Sequence, residues 1–494
     1  MSSTKGLKSA GLGLWGSFAI GLSSTAPAYS LAATLGLMVA AVGAQAPAAL
    51  VLAFIPMLFT AVAYNELNKE DPDCGTTFTW ASKAFGSRTG WMGGWALALS
   101  GVVVLANLAA IAGEYLWKLI SPDLTESPVL VTATGVGFIA LMTWLNIRGI
   151  TLGDRMQKIL LVIQYAALAL FVIMAAVRIR TGSAYDFTPV DVEWFNPLAA
   201  GSLTAMTYAV LLALFIYWGW DTCLALNEET RNPGKTPGRA ALLSSAALLV
   251  TYVGVSVLVM VYAGIGEDGL GLGNEAHADD VLYAVSEDVM GPWAWIIIVA
   301  VLVSAVSSTQ TTILPTARGT LAMAVHGALP ARFGAVHPKH QTPVFATVLM
   351  GAVSSAYYFG MSLLSENFLE DSIASLGLFI AFYYGLTAYA CVWHFRATLT
   401  ASLRNFVMRG LLPLAGAVSM TAALIISAAD MIRPGYGSTV MGGVGGAFVI
   451  GAGSMLLGGV LMCLWYRSPA AAARQAVEPS PQVREIPSDQ GEYL

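Results

Sequence analysis

The sequence predicts an all-α integral membrane protein with twelve transmembrane helices. Of its 494 residues, 56% are hydrophobic and only 11% are charged, whereas a soluble domain carries about 25% charged residues. A chain of this composition cannot cover a water-facing surface of that size, so lipid must be its solvent. Its apolar runs are continuous and do not alternate, which argues against the strands of a membrane β-barrel.

Twelve apolar stretches are long enough to cross a bilayer, because a spanning helix needs about 20 apolar residues. The first stretch is long enough to be bent or broken. It is also too long for a signal peptide and lacks a cleavage pattern. We number the stretches as helices 1 to 12, and they lie near residues 12–44, 46–66, 90–118, 128–147, 157–178, 202–227, 240–263, 292–317, 343–362, 371–394, 408–428 and 441–466.

The basic residues predict which side of the membrane each loop faces. If both chain ends are cytoplasmic, all of the 24 Lys and Arg residues except Lys118, Arg178, Arg180 and Arg433 fall in cytoplasmic segments. This bias is typical of a multi-pass protein of the plasma membrane with an even number of spans. The acidic loop 264–291 contains no Lys or Arg and is expected to face outwards.

The cysteines and the C-terminal segment predict neither a metal site nor a disulfide framework. No cluster of Cys and His residues has the spacing of metal ligands. On this topology none of the four cysteines falls in an external loop, so no disulfide framework is expected. Residues 467–494 are polar and contain prolines, which predicts a disordered cytoplasmic tail. The cysteines are Cys74, Cys223, Cys391 and Cys463.

Helix 1 is interrupted by polar residues. Residues 20–30 read IGLSSTAPAYS, and non-helical backbone at membrane depth is tolerated only where it lines an enclosed or wet cavity. Pro27 suits the first turn of a new half-helix, whose free amides and positive dipole end favour an anion such as a substrate carboxylate. The alternative is a kinked helix whose hydroxyl groups bond back to the preceding turn.

A second interruption is predicted in helix 6, which reads LLALFIYWGWDTCLALNEET. It comes five helices after the first and therefore crosses the membrane in the opposite direction, as an inverted repeat requires. Gly219 permits irregular backbone, and Asp221 is a carboxylate far from either end of the run, which marks a functional site. The alternative is aromatic packing with Asp221 paired to a neighbour.

Four loop segments carry a specific set of Gly, Pro, Asn and charged residues. They read YNELNKEDPDCGTTFTWASKAFG (64–86), NIRGITLGDRMQ (146–157), FIYWGWDTCLALNEETRNPGKTPGRAAL (215–242) and ARGTLAMAVHGALPARFGAVHPKHQTPVFA (317–346). In this order they resemble the loops of the amino acid–polyamine–organocation (APC) permeases. The resemblance covers roughly the whole chain between its two polar ends.

This resemblance implies a leucine-transporter-like fold built from two inverted five-helix repeats. The first repeat would span residues 11–178, after a cytoplasmic N-terminus at 1–10. The second would span 202–395, and helices 11 and 12 would be appended over 408–466. Proteins of the family carry amino acids or amines by alternating access, which is the function we expect for this chain.

The resemblance also implies a substrate site where the two interrupted helices meet. Amides of helix 1 would bind the substrate carboxylate, and exposed carbonyl groups near the interruptions would bind its ammonium group. Phe215 stands where the family often has an aromatic lid. The implied substrate-binding residues are Ser23, Ser24, Thr25, Ala26 and Pro27, then Phe215, Ile216, Tyr217, Trp218 and Gly219, with Asn107 of helix 3 lining the cavity.

Two groups of residues are candidates for ion coupling. Asp221, and Glu114 nearer the outer surface, are candidates to carry a proton. Gln164 stands where some proton-coupled relatives have a Lys, and it does not titrate. In related folds, hydroxyl groups of helix 8 and carbonyl groups of helix 1 hold a sodium ion. The alternative is a polar stripe for close helix packing. The hydroxyl residues on one face of helix 8 are Ser304, Ser307, Ser308 and Thr311.

The expected function is transport of an amino acid, coupled to a proton or sodium gradient or by exchange. An amine or polyamine transporter, with Asp221 or Glu114 binding the ammonium group, is the first alternative, and a non-transporting receptor is the second. The sequence offers no nucleophile–base pair, metal cluster or phosphate loop, so no enzyme is expected. The expected partners are a small-molecule substrate and membrane lipid, with no nucleic acid and no cofactor apart from the sodium ion considered above.

Overall fold

The chain folds into a multi-pass helical protein. A computed structural model describes residues 5–364, 366–469 and 471. Within these residues, ten helices are long and apolar enough to cross a membrane, and a two-stranded antiparallel hairpin joins Val440–Met441 to Val444–Gly445. The predicted tail after residue 471 lies outside the described residues. The all-helical class is confirmed.

The helices are numbered in chain order. The first nine are α1 Leu14–Ser24, α2 Pro27–Val42, α3 Ala46–Glu70, α4 Thr77–Phe85, α5 Ser87–Ile120, α6 Pro128–Ile147, α7 Ile150–Arg180, α8 Leu203–Ile216 and α9 Thr222–Ala225. The remainder are α10 Thr236–Ala263, α11 Val281–Met290, α12 Trp295–Val325, α13 Val344–Leu364, α14 Glu366–Phe395, α15 Leu403–Asn405, α16 Leu412–Met431 and α17 Gly446–Tyr466.

The ten candidate spans correspond closely to the predicted helices. The first, Leu14–Glu70, is 57 residues long and contains α1, α2 and α3, where two spans were predicted. At predicted helix 6 the structure has α8, which is apolar but shorter than a span. Each other predicted helix coincides with one candidate span. The twelve-span topology, its orientation and the inverted repeat stay predictions.

Helices α5 and α12 form the centre of the molecule. Most of their residues are buried, whereas few residues of α6 and α17 are buried, as in helices that face lipid. The two central helices approach closely because of small residues: a Cβ atom at Gly101 would lie 2.6 Å from Thr316 Oγ1. Small residues at such contacts let backbones approach within a membrane.

The segments that flank the two interrupted helices are tied together at one end of the molecule. The Leu12 amide donates to the Glu229 carbonyl oxygen at 3.0 Å, and the Arg231 amide donates to the Leu12 carbonyl oxygen at 2.8 Å. Arg318 of α12 then binds the Glu229 carboxylate, with Nε 2.8 Å from Oε2 and both side chains fully buried. Removing one partner of such a pair costs about 3–5 kcal/mol, so this pair holds the chain after α9 against α12.

Candidate functional site

The first interruption lies where the sequence predicted it. Helix α1 ends at Ser24 and α2 begins at Pro27. Between them Ala26 has φ +46° and ψ +61°, a left-handed conformation that costs a residue with a Cβ atom roughly 1–2 kcal/mol. Thr25 Oγ1 bonds back to the Leu22 carbonyl oxygen at 2.8 Å, as the kinked-helix alternative expected, but the helix itself is broken.

The second interruption touches the first. Helix α8 ends at Ile216 and α9 begins at Thr222, and between them Gly219 has φ +117°. A Cβ atom at Gly219 would lie 2.8 Å from the Ser24 carbonyl oxygen, so glycine is required by both its conformation and its neighbour. Ser24 Oγ and Thr222 Oγ1 lie 2.8 Å apart. We call the meeting of segments 24–27 and 217–221 the junction.

Side chains from three helices pair with the carbonyl groups that the interruptions release. Ser308 Oγ donates to the Ser24 carbonyl oxygen at 2.8 Å. Ser30 Oγ donates to the Thr25 carbonyl oxygen at 2.7 Å. The Tyr252 hydroxyl donates to the Ile216 carbonyl oxygen at 2.7 Å. The unwound backbone is therefore held by hydroxyl groups rather than by a helical ladder.

Three of the carbonyl groups that were expected to bind an ammonium group already accept a hydrogen bond. The Ser23 carbonyl accepts from the Ala26 amide at 3.1 Å, and the Phe215 carbonyl accepts from the Trp218 amide at 3.1 Å. The Ser24 carbonyl accepts from Ser308, as described above. Because a carbonyl oxygen has two lone pairs, each can accept one further donor, but none is unpaired.

The junction keeps donors for an anion at the start of α2. The N-cap residue Ala26 offers no side-chain cap, so the first-turn amides of α2 lack the partner that a Ser or Asp would supply. Pro27 has no N–H, and the Tyr29 amide donates to Ser304 Oγ at 3.5 Å, so the Ala28 amide is the donor of this turn that stays available. Helix N-termini of this kind bind carboxylates and phosphates.

Several polar groups at the junction are buried without a partner in the described part of the chain. They are Ser23 Oγ, Tyr217 OH and Trp220 Nε1. Asn107, in contrast, donates from Nδ2 to the Tyr29 hydroxyl oxygen at 3.0 Å, so it lies against α2 as a cavity-lining residue would. Buried polar atoms are nearly always paired in folded proteins. The three orphan atoms therefore mark polar groups that the described part of the chain leaves unsatisfied at the junction.

Asp221 is held by two tyrosines of α14. The Tyr384 hydroxyl donates to Asp221 Oδ1 at 2.8 Å, and the Tyr383 hydroxyl lies 3.3 Å from Oδ2. Trp218 Nε1 donates in turn to the Tyr383 hydroxyl oxygen. Nothing in the spacing of helices 6 and 10 indicates that these tyrosines meet Asp221. The alternative that pairs Asp221 with a neighbour therefore agrees with its contacts.

The four hydroxyl residues predicted on one face of helix 8 do not share the same hydrogen-bond partners. Ser308 and Ser304 face the junction, through the contacts already described. Ser307 instead donates to Gln157 Oε1 of α7 at 2.6 Å, and Thr311 donates to the Ser308 carbonyl of its own helix at 3.1 Å. Sequence spacing places all four on one side of a helix, but that side is wide enough to meet two neighbours.

Two further predicted residues have contrasting surroundings. Gln164 of α7 is fully buried, and neither polar atom of its amide has a partner within the described residues. Glu114 of α5 lies one turn before Lys118, whose ion pair is with Asp280, with Nζ 2.6 Å from Oδ2.

Sequence reasoning missed an ion-pair cluster at the end of the molecule where the chain begins. Lys5 Nζ lies 2.7 Å from Asp73 Oδ2 and 2.6 Å from Glu228 Oε1. The Cys74 amide donates to the same Glu228 oxygen at 3.1 Å. The partners of Lys5 are 68 and 223 residues away in sequence, so no local signal could have revealed the cluster.

This cluster stays charged over the physiological pH range. Burial disfavours the charged form of Lys5, but the negative groups around it outweigh burial and raise its pKa above the ordinary value. Burial also opposes ionisation of Asp73, but hydrogen bonding to His326 and the charge of Lys5 lower its pKa far below the usual range. The stabilisation from Asp73 is therefore lost only in strong acid, and that from Lys5 only in strong base.

Comparison with known proteins identifies the family to which the chain belongs. Residues 12–434 match the family model described as amino acid permease. The chain belongs to the amino acid permease family. The family and the relatives below are transporters, and not enzymes. The APC resemblance drawn from the loop segments is confirmed.

Curated relatives of this permease are transporters. The branched-chain amino acid permease BcaP of Bacillus subtilis is 24% identical over 320 residues, which cover 62% of this chain and 65% of the relative. The human large neutral amino acids transporter small subunit 2 is 26% identical over 307 residues, covering 60% and 55%. An uncharacterized transporter of Mycobacterium tuberculosis is 25% identical over 432 residues, covering 87% and 89%. The chain thus spans less than two thirds of the length of the first two.

Substitution of Gly219 tests the close approach at the junction. We expect Gly219→Ala to lower the stability of the purified permease by about 1–2 kcal/mol or more, because the left-handed residue is strained and its Cβ atom meets the Ser24 carbonyl. Thermal unfolding in detergent measures the change. Gly254→Ala is the matched control, since a Cβ atom there meets nothing within 4 Å. Equal unfolding midpoints for the two variants would contradict the packing described here.

Proposed function

We propose that this permease moves a neutral amino acid across the plasma membrane by alternating access, with the substrate bound at the junction. The observation that carries the proposal is the contact between two broken helices, Gly219 against Ser24, beside uncapped amides at the start of α2. Those amides would bind the substrate carboxylate. The second lone pairs of the junction carbonyls would accept its ammonium group.

The charge at the junction supports a neutral side chain on the substrate. An amine or polyamine would need a free carboxylate, and the Asp221 oxygens accept from Tyr384 and Tyr383 instead. The side chains beside the interruption in helix 6, Phe215 and Trp218, are aromatic. The names of the relatives, which refer to branched-chain and large neutral amino acids, agree with such a substrate.

The transport cycle would break the contacts that join the interrupted helices to the rest of the protein. We place both chain ends in the cytoplasm, because the basic residues favour that orientation. The Lys5 cluster then closes the cytoplasmic side, and the bonds from α14 to Asp221 hold helix 6 at the membrane centre. The interrupted helices with α3 and α10 would rock against the remaining helices. A driving ion can power this motion only by binding one state better than the other.

We further propose that the driving ion is a proton and that Asp221 carries it. A carboxylate at membrane depth is costly when charged and is functional by default. None of the ion pairs in the described chain includes Asp221, whose partners are neutral hydroxyl groups. Protonation would turn one carboxylate oxygen from an acceptor into a donor and so loosen the bond that this oxygen accepts from α14. Sodium bound near Ser304 and Ser308 is the competing outcome.

Uptake into proteoliposomes tests the transport proposal. With the purified full-length permease and an outside-acid pH gradient, we expect radiolabelled leucine to accumulate, and putrescine not to accumulate. Replacing sodium by choline should leave uptake unchanged, whereas a protonophore should abolish it. Protein-free liposomes are the control. Accumulation of the amine alone, or of neither compound, would rule out a neutral amino acid as the substrate, and loss of uptake in choline would assign coupling to sodium.

The variant Asp221→Asn tests the proton site. We expect gradient-driven accumulation to fall about tenfold, which corresponds to a lost coupling free energy near 1.4 kcal/mol. Exchange of internal for external leucine should persist, because the amide oxygen still accepts a hydrogen bond. Asp430→Asn, at a partly exposed carboxylate beside Arg433, is the matched control. If accumulation in Asp221→Asn equals that of the control, the proton is carried elsewhere.

Thiol labelling tests whether the Lys5 cluster closes one side. Cys74 is 1% exposed, so in a Cys463→Ser background its reaction with a maleimide should be slow. We expect Lys5→Gln to accelerate labelling about tenfold, the effect of removing about 1.4 kcal/mol from the closed state. Lys158→Gln removes a cation from an exposed helical pair and should change nothing. Labelling of Cys74 at the same rate in both variants would show that Lys5 does not hold this side closed.

A further inference from the structure

A cavity of about 650 Å³ lies between the end of α3 and the start of α10. It is lined by Asn65 and Lys69 of α3, by the loop 232–235, and by Arg239 of α10. No residue of the junction lines it, so it is separate from the proposed substrate site and independent of the transport proposal. The question is which ligand its walls would recognise.

The cavity carries an excess of positive charge. Lys69 shares the Glu66 carboxylate with Arg404 and Arg409, so three cations surround one anion. Lys235 and Arg239 are exposed, and neither takes part in an ion pair within the described chain. These features together favour an anion.

A buried polar group gives independent evidence of a ligand. Asn65 is 4% exposed and lines the cavity, and its Oδ1 atom has no hydrogen-bond partner in the described chain. A buried acceptor of this kind is normally satisfied. Oδ1 packs against Gly238 of α10, where a Cβ atom would lie 2.2 Å from it, so a hydroxyl donor on the ligand would satisfy Oδ1 once the amide side chain turns towards the cavity. The cavity therefore suits a ligand that combines an anionic group with a hydroxyl group.

The outer face of α10 indicates where the rest of the ligand lies. Arg239 begins an exposed stripe that continues with Leu243 and Val250, which are 48% and 73% exposed. These residues are four and eleven positions after Arg239 and therefore share one helical face. An exposed apolar stripe on a spanning helix faces acyl chains. The charged cavity thus adjoins an apolar helix surface that is suited to contact lipid.

We propose that this cavity binds the headgroup of an anionic phospholipid of the phosphatidylglycerol class. The phosphate lies among Lys69, Lys235 and Arg239, the headgroup hydroxyl donates to Asn65 Oδ1, and the acyl chains follow the α10 stripe. Basic pockets between helices on the cytoplasmic side of membrane proteins bind anionic headgroups in this way. A soluble phosphate compound shares the phosphate chemistry but lacks the acyl chains.

The cavity wall is connected to the interrupted helix 6. Asn68 Nδ2 donates to the Pro233 carbonyl oxygen at 2.8 Å, and Asn227 Nδ2 donates to Asn68 Oδ1 at 2.9 Å. Asn227 follows α9, two residues before the Glu229 that binds Arg318. A bound headgroup therefore stabilises the same end of the molecule that the Lys5 cluster closes.

Ligand-induced thermal stabilisation of the purified full-length permease in detergent tests the site. The probes are short-chain phosphatidylglycerol, phosphatidylcholine of the same chain length, sn-glycerol 3-phosphate and inorganic phosphate. We expect a saturable rise of the unfolding midpoint with phosphatidylglycerol and none with phosphatidylcholine. The soluble phosphates should bind at least about tenfold more weakly, since they bury no acyl chain. If either binds as tightly as the lipid, the cavity is a site for a soluble phosphate and the proposal is overturned.

Charge variants assign the binding to this cavity. We expect the double variant Lys235→Gln, Arg239→Gln to weaken phosphatidylglycerol binding about tenfold or more, since each cation near an anionic headgroup contributes substantially. Arg155→Gln with Arg332→Gln, two exposed cations outside the cavity, removes the same charge and should bind as the parent does. Equal affinities in the two double variants would overturn the proposal.

A charge-neutral variant tests the role of the buried amide and does not depend on the folding of the charge variants. Phosphatidylmethanol has the same phosphate and chains but no headgroup hydroxyl. We expect the parent permease to bind phosphatidylglycerol more tightly than phosphatidylmethanol, and Asn65→Leu to remove the difference while keeping phosphate binding. If the parent binds both lipids equally, the assignment of Asn65 is wrong, and the headgroup does not enter the cavity as proposed.

Discussion

The structure depends on how the backbone is paired where two helices unwind within the membrane. Lipid offers no hydrogen bonds, so unwound peptide groups must be satisfied by protein. Here the two interruptions pack against each other, with Gly219 close to the Ser24 carbonyl. The hydroxyl groups of Ser308, Ser30 and Tyr252 donate to the carbonyls of Ser24, Thr25 and Ile216. The unusual density of hydroxyl residues in this apolar chain follows from that need. The Ala28 amide at the start of α2 is the donor on which we base the proposal that this region binds a substrate carboxylate.

Two carboxylates near the interrupted helix 6, Glu229 and Asp221, have partners of different charge. The partner determines which role each carboxylate can have. Glu229 is bound by Arg318 with both side chains fully buried, so protonating it would leave an uncompensated buried cation, which is strongly unfavourable. Asp221 is held by the hydroxyl groups of Tyr383 and Tyr384, and gaining a proton there leaves no charge behind. The first arrangement makes a permanent anchor. The second is the arrangement on which we base the proposal that Asp221 carries the coupling proton.

The sequence predicted those features that a short segment determines by itself. Composition and continuous apolar runs predict the helical membrane class, and Pro27 after three hydroxyl residues predicts the first interruption to within a residue. Gly219 predicts the second. Contacts between distant segments could not be predicted, because spacing along one helix does not say which neighbour it meets. Ser307 therefore faces α7 while Ser308 faces the junction, Asp221 meets α14, and Lys5 finds carboxylates far away in sequence.

The basic residues illustrate the difference between topology and recognition. An excess of Lys and Arg on one side orients a membrane protein, and this accounts for where these residues lie but not for what each one contacts. Arg318 forms an ion pair with the buried carboxylate of Glu229. Lys5 forms ion pairs with the carboxylates of Asp73 and Glu228. Lys235 and Arg239 have no such partner in the described chain, and they border a cavity whose wall contains the unsatisfied Asn65 Oδ1. A charge that only orients the protein needs no cavity and no buried acceptor beside it. Both are present at the start of α10, and this is why we assign that surface to a ligand rather than to topology alone.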